Sequence, residues 1–238
     1  WGHCDTDLIW GDIRNFITDD ILEKYDKIGF QGHSTLYRNT PEVNSRYKTT
    51  IPGQLSYKDI FNSAEGHCFD ENGMENIYEY LEIPYFRETN FAHLDRFHSS
   101  FFLGHQPVSE DYKNDRQVFV WDSGKIIRYY LKQKSVCQEE YMYLHFFSAP
   151  ITYRTAKIDS SCKYVARPHV VENLTKEIDV AYLQKYGHCS SLYFYLKVAY
   201  FNRRKITVKK ILNAFRLKYK RERNRVNSNR ATISSKIR

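Results

Sequence analysis

The sequence predicts an α/β protein, a mixed sheet flanked by helices, that continues into a basic, helical C-terminal extension. Three observations carry that expectation. Runs of β-branched and aromatic residues at 118–121 and 126–130 flank a glycine-bearing turn, the pattern of a β-hairpin. Short helices are marked by their starts, Thr18 before Asp19-Asp20 and Thr40 before Pro41 at the first helical position. The composition also changes late in the chain. Residues 201–238 hold fourteen Lys and Arg against one acid, Glu222, a net of +13; of the total +8, residues 1–200 therefore carry 8 minus 13, or −5.

Size and composition narrow the class. At 238 residues and 42% hydrophobic content the chain can build a sizeable core. No run of about twenty apolar residues exists to span a bilayer, and no basic-then-apolar segment opens the chain as a signal would. Five cysteines, at 4, 68, 137, 162 and 189, form neither a zinc spacing nor a disulfide framework. A reducing cytoplasm is the simplest fit, and a catalytic Cys–His pair would rest on geometry that sequence does not display. The first residue is Trp rather than Met, inside what reads as a motif-bearing strand, so a preceding segment is expected.

Within the first twelve residues Asp5 and Asp7 stand one residue apart among Trp, Leu and Ile, and Asp12 follows Gly11. An Asp-rich turn is the plain alternative, but turn aspartates usually sit among Gly, Ser, Asn and Pro. The sharper reading ends an extended segment at Cys4 and presents Asp5 and Asp7 at a sheet edge. Their oxygens there suit a hard divalent cation, Mg²⁺ or Mn²⁺. A helix-like run through Phe16, a helix after Thr18, a brief strand over 27–30 and a loop over 31–33 follow. His33 is either a structural loop residue or a group facing the site. A helix begins at Thr40-Pro41, while 57–61 is too short to assign. Asp70 and Glu71 either open a solvated helix over 74–81 or point into a cleft, where a carboxylate can accept a proton.

Residues 91–105 are crowded with Phe and His, the mark of aromatic packing. A strand over 141–147 carries His145 near its end, and 163–171 reads as a final strand. Segments 178–186 and 192–201 read as aromatic-rich helices. In 206–215, Val208, Ile211, Leu212 and Phe215 share one helical face. Such a basic amphipathic helix is a surface anchor on anionic lipid or a partner-binding face; the alternative is a solvated helix before a disordered tail from Asn224.

The extended string Trp-Gly-x-Cys-Asp-x-Asp-x-Ile-x-Gly-Asp over residues 1–12 is more specific than a bare Asp-x-Asp. With it go Thr18-Asp19-Asp20-Ile21-Leu22, Gly-His-Ser-Thr-Leu-Tyr-Arg-Asn over 32–39, Cys68-Phe69-Asp70-Glu71, the hairpin near Trp121, and Tyr143-Leu144-His145. Together they resemble a family of bacterial glycosyltransferases of the GT-A type, associated with capsule and exopolysaccharide, over residues 1–170. The resemblance implies a partial GT-A-like domain over 1–172; the change of composition beyond it marks a helical extension over 173–223 and a basic, disordered tail over 224–238. It implies that Asp5 and Asp7 bind Mn²⁺ or Mg²⁺ and, through the ion, the diphosphate of a nucleotide sugar.

It further implies His145 as a third metal ligand beside its structural reading, and His33 near the sugar. Asp70 or Glu71 becomes the catalytic group that accepts a proton from an acceptor hydroxyl or hydrogen-bonds the donor sugar, and residues 91–105 become a possible acceptor wall. The family continues as His-x-Gln-Lys-Arg. Here the chain runs His-Phe-Phe-Ser-Ala-Pro, so any phosphate-neutralising role passes to Arg154 or Lys157, or is lost. In that fold the segment before Asp-x-Asp carries most of the nucleotide-binding half, and the activity of this polypeptide depends on it.

The expected function is metal-dependent transfer of a sugar from a nucleoside-diphosphate donor to a polysaccharide or lipid-linked acceptor. It would take place in the cytoplasm, with residues 203–225 touching the anionic inner face of the membrane. Two rivals belong to other classes. A nucleic-acid-binding protein would use the basic tail, against the acidic body, so no nucleic acid is expected. A non-catalytic remnant would act only through partners.

Overall fold

A computed structural model describes residues 1–29, 32–94, 101–105, 116–146, 151–154, 162–168 and 170–188. The chain divides into two compact units, Trp1–Phe194 and Tyr195–Arg238, and every described residue lies in the first. The helices expected over 192–201 and 206–215, and the basic tail, lie outside the described residues.

The chain opens with two three-residue strands, β1 (Gly2–Cys4) and β2 (Leu8–Trp10), with Asp5 and Asp7 in the link between them. Where a helix-like run was expected, β2 is followed by a single 3₁₀ turn, Ile13–Asn15, whose start is capped by Asp12 accepting from the Arg14 N–H. Helix α1 (Asp19–Lys24) follows Thr18, with two acids in its first turn. Strand β3 (Lys27–Gly29) and strand β4 (Ser34–Tyr37) come next, then α2 (Pro41–Ser45), capped as expected by Thr40 accepting from the Val43 N–H at 3.3 Å. Residues 57–61 form α3 (Tyr57–Phe61), started by a reciprocal Ser56–Asp59 capping box.

A π-helical turn, Phe69–Gly73, leads into α4 (Met74–Tyr80). Then follow β5 (Phe91–His93), β6 (Phe102–Leu103), β7 (Gln117–Asp122), β8 (Lys125–Lys132), β9 (Ser135–Tyr141), β10 (Tyr143–His145), β11 (Thr152–Arg154), β12 (Tyr164–Arg167), β13 (Val170–Asn173) and α5 (Val180–Tyr186). Among the described residues no helix is long and apolar enough to cross a membrane.

The architecture is mixed α/β, but in place of the single mixed sheet of the sequence reading the described residues form three sheets with short helices. A three-stranded sheet has the order β1-β4-β3, a four-stranded one β2-β10-β5-β6, and a six-stranded one β11-β13-β12-β7-β8-β9. The expected hairpin is β7–β8, closed by Ser123 and Gly124, both at positive φ, the backbone form of a tight turn that matches strand twist. A second hairpin, β8–β9, is closed in the same way by Gln133 and Lys134. The single strand expected over 163–171 is instead the antiparallel pair β12 and β13, because the chain reverses at Pro168 and pairs Arg167 with Val170.

Helix α5 buries Leu183 with Val118, Val120 and Val165, so the segment expected as the start of a separate extension contributes to this unit's core.

Strand β10 organises the middle of the fold. It pairs antiparallel with β2 and parallel with β5, and both its faces are covered. Leu144 faces a core with Ala92, Phe101 and Phe146, while Tyr143 faces another with Ile17, Ile28 and Phe91. A strand buried on both faces has little room to shift register. A third cluster, Tyr37, Val43, Met74, Ile77 and Tyr78, holds α4 against β4 and α2. Arg46 ties it down, donating to the Tyr78 hydroxyl at 3.2 Å and pairing with Asp26 at 2.9 Å and Glu42 at 2.8 Å.

Candidate metal centre

Sheet topology brings chemistry to one edge. Because β5 and β10 run parallel and β2 antiparallel, the end of β10, the end of β5 and the start of β2 coincide. His145 stands opposite His93 on one side and Leu8 on the other. Backbone bonds extend the register by one residue, from the Leu94 N–H to the His145 carbonyl at 2.8 Å and from the Phe146 N–H to the Asp7 carbonyl at 3.0 Å. In the neighbouring sheet Cys4 pairs with Ser34, and the Asp5 N–H donates to the His33 carbonyl at 2.9 Å. Asp5, Asp7, His33, His93 and His145 thus converge from the ends of five strands, β1, β2, β4, β5 and β10.

His145 is buried at 1% exposure, and its Nε2 lies 3.2 Å from Asp5 Oδ2 and 3.4 Å from Asp7 Oδ1. One donor atom from each of these three residues falls within 4.8 Å of the others. The two carboxylates are half-exposed and the imidazole forms a floor beneath them. His33, His93 and His145 make a second group with donors inside the same 4.8 Å limit. The His33 and His145 rings are 4.0 Å apart between centroids, and His33 also meets Phe91 edge-on at 5.3 Å. His33 is buried, and its Nδ1 has no hydrogen-bond partner among the described residues, an arrangement that costs about 1–3 kcal/mol if nothing meets the nitrogen.

Electrostatics follow burial. Desolvation, with His145 and His93 adding to it, lowers the His33 pKa to about 3, so the ring is neutral in the folded protein. Burial also lowers the pKa of His145, against the pull of Asp7 and Asp5. The Asp5 carboxyl is raised, first by burial and then by Asp7 and Asp70, with His145 and His3 opposing. Glu71 is raised by burial, then by Asp70 and Asp5. The acids therefore act on one another as a single patch, the kind of like-charge cluster that a cation relieves.

Asp70 and Glu71 come from the π-helical turn, with Asp70 Oδ2 4.0 Å from His3 Nε2 on β1. Glu71 lies over Gly32: a Cβ there would overlap its side chain, and Gly32 has φ of +75°, which suits only glycine. The turn's other side lines a cleft of about 330 Å³ with Phe69, Asn72 and Gly73, which Ile51, Gln54 and Asn76 continue. The Cys68 thiol is pushed up, chiefly by Glu71, which is opposite to the activation a nucleophilic cysteine needs.

Of the residues singled out in the sequence, Asp5, Asp7, His145 and His33 share one site, and Asp70 and Glu71 border it. His33, in the loop just before β4, is a buried ring packed on His145. His93 and His3 were missed. His93 lay within a segment read as aromatic packing, and its neighbours Phe91 and Phe102 are buried core residues. Its one sequence signal was a strand ending in His, the same pattern that marked His145. Arg154 lies on β11 and pairs with Glu172 at 3.9 Å, while Lys157 lies outside the described residues.

The model of DUF6625, a family of unknown function, matches residues 1–174. No curated protein and no solved structure matches the chain.

Proposed function

We propose that this chain, which belongs to the DUF6625 family of unknown function, is a metal-dependent glycosyltransferase that moves a sugar from a nucleoside-diphosphate donor to a polysaccharide or lipid-linked acceptor. The observation that carries the reading is the convergence of Asp5, Asp7 and His145 within 4.8 Å at a sheet edge. The donor set fits a divalent ion that accepts oxygen and one imidazole, Mn²⁺ before Mg²⁺. The Asp5 carboxyl, raised first by burial and then by the neighbouring Asp7 and Asp70, fits it too, since a cation would offset both. When bound, such an ion neutralises charge that builds on a departing diphosphate.

The chain's own residues do the rest. His145, fixed by its strand, presents Nε2 to both carboxylates as the nitrogen member of the donor set. Glu71, raised and partly buried, holds or accepts a proton beside the site, and Asp70 keeps that corner acidic. The amide-lined cleft along the same turn, with Gln54, Asn72 and Asn76, offers hydrogen bonds of the kind sugar hydroxyls use. The GT-A likeness rests on the opening motif. Among the described residues Cys4, Cys68, Cys137 and Cys162 are free thiols, which fits a reducing compartment.

Two measurements test the reading. Mn²⁺ binding, followed by the loss of its free EPR signal, should be abolished by Asp7→Ala. In the full chain, transfer or hydrolysis from a panel of nucleoside-diphosphate sugars should stop in the same variant and in excess chelator. Activity that survives chelation refutes metal-dependent transfer.

A further inference from the structure

We propose that His33, His93 and His145 form a second cation site, one that takes a borderline transition-metal ion such as Zn²⁺ rather than Mg²⁺. Three imidazoles, one on β5, one on β10 and one just before β4, bring donor atoms within 4.8 Å of one another. Around a tetrahedral ion with Zn–N bonds of about 2.0–2.1 Å, donors stand roughly 3.3 Å apart, so closing this group asks for side-chain adjustment rather than movement of strands.

The backbone is already set for it. The β5–β10 register fixes His93 opposite His145, and the carbonyl of His33 is held by the Asp5 N–H. A ring packed merely as an aromatic filler has no need of a buried nitrogen without a hydrogen-bond partner, yet His33 Nδ1 is such an atom among the described residues.

Ligand chemistry separates this group from the Asp5–Asp7 pair. Imidazole nitrogens suit Zn²⁺, Co²⁺ and Ni²⁺, whereas Mg²⁺ demands oxygen and keeps its waters. Three histidines leave a fourth position, and the half-exposed Asp5 and Asp7 carboxylates lie on the side of His145 that its Nε2 faces. His145 belongs to both groups, so an ion held by the three histidines competes with one held by the acids for that ring. The site depends on no assumption about sugar transfer.

Co²⁺ alone, added to the full chain, is the probe. A stoichiometric ion with visible ligand-field bands, displaced by Zn²⁺ and untouched by Mg²⁺, is expected. The bands should survive the Asp5→Asn/Asp7→Asn double substitution, which removes Mn²⁺ binding. In His33→Gln and in His93→Gln, Co²⁺ affinity should fall by at least about 10-fold, the scale on which even outer-sphere partners of a metal act.

Should either histidine substitution leave Co²⁺ affinity unchanged, or the acid substitutions abolish it, the three-histidine site is wrong. Because a histidine variant can misfold, imidazole ¹⁵N resonances of the unaltered chain supply the second measurement: one equivalent of Zn²⁺ must shift the ring nitrogens of His33, His93 and His145, and unmoved resonances overturn the proposal. If the sugar-transfer reading alone is wrong, the Co²⁺ bands persist while no nucleotide sugar is turned over.

Discussion

His33 gives the sharpest physical prediction, a loss of stability on mild acidification that one substitution removes. The ring titrates at about 3 in the folded protein, against an ordinary 6.5. Above 6.5 it is neutral in both folded and unfolded chains and contributes no pH dependence. Below 6.5 the unfolded chain takes up a proton that the folded one refuses, so stability falls by about 1.4 kcal/mol per pH unit until about pH 3. Between pH 6.5 and 4.5 that amounts to roughly 2.7 kcal/mol, a large share of the ~5–15 kcal/mol that holds an ordinary domain.

The assay is urea unfolding at pH 7 and pH 4.5 in chelator, so that no cation adds its own linkage, for the native sequence and for His33→Gln. The substitution can lower stability at both pH values; the quantity that counts is the difference between the two proteins in their loss on acidification. His145 is lowered in both and cancels to first order. Equal losses in the two proteins would show that the His33 ring is reached by solvent, and the packed-histidine interior would have to be abandoned.

Two further perturbations separate the scaffold from the site. Gly32→Ala places a side chain at φ of +75° and onto Glu71, and should cost about 1–3 kcal/mol in the urea midpoint; Glu71→Ala in the same background should recover the part due to overlap. An unchanged midpoint in Gly32→Ala would mean that the turn relaxes freely. Leu144→Ala empties a position 1% exposed on the face of β10 opposite His145 and should cost about 2–5 kcal/mol. Mn²⁺ affinity of the folded fraction should stay near the native value, and a parallel collapse of affinity would argue that the strand does not hold its register independently.

Several elements were readable because their causes are local. Thr40 and Pro41 start α2 through a cap and a preset φ, and Gly124 permits the β7–β8 turn. The β8–β9 turn was invisible by the same logic: Gln133 and Lys134 adopt positive φ without glycine or asparagine, and tertiary pairing of β8 with β9 outweighs their preference. The reversal between β12 and β13 was likewise read as one continuous strand, since alternating residues on either side of Pro168 carry no mark of the direction in which they run.

By itself, the sequence determined that carboxylates sit where packing would not place them, that His145 ends a buried strand, and that acid and base are segregated along the chain. Those properties belong to single residues and their neighbours. Which residues meet was decided only by the tertiary structure, because strand pairing is a long-range choice. The parallel β5–β10 register sets His93 against His145, the β1–β4 pair carries Asp5 to His33, and α4 holds the acidic turn over Gly32. Burial, which lowers the pKa of His33 and His145 and raises that of Asp5 and Glu71, exists only once those strands have closed over them.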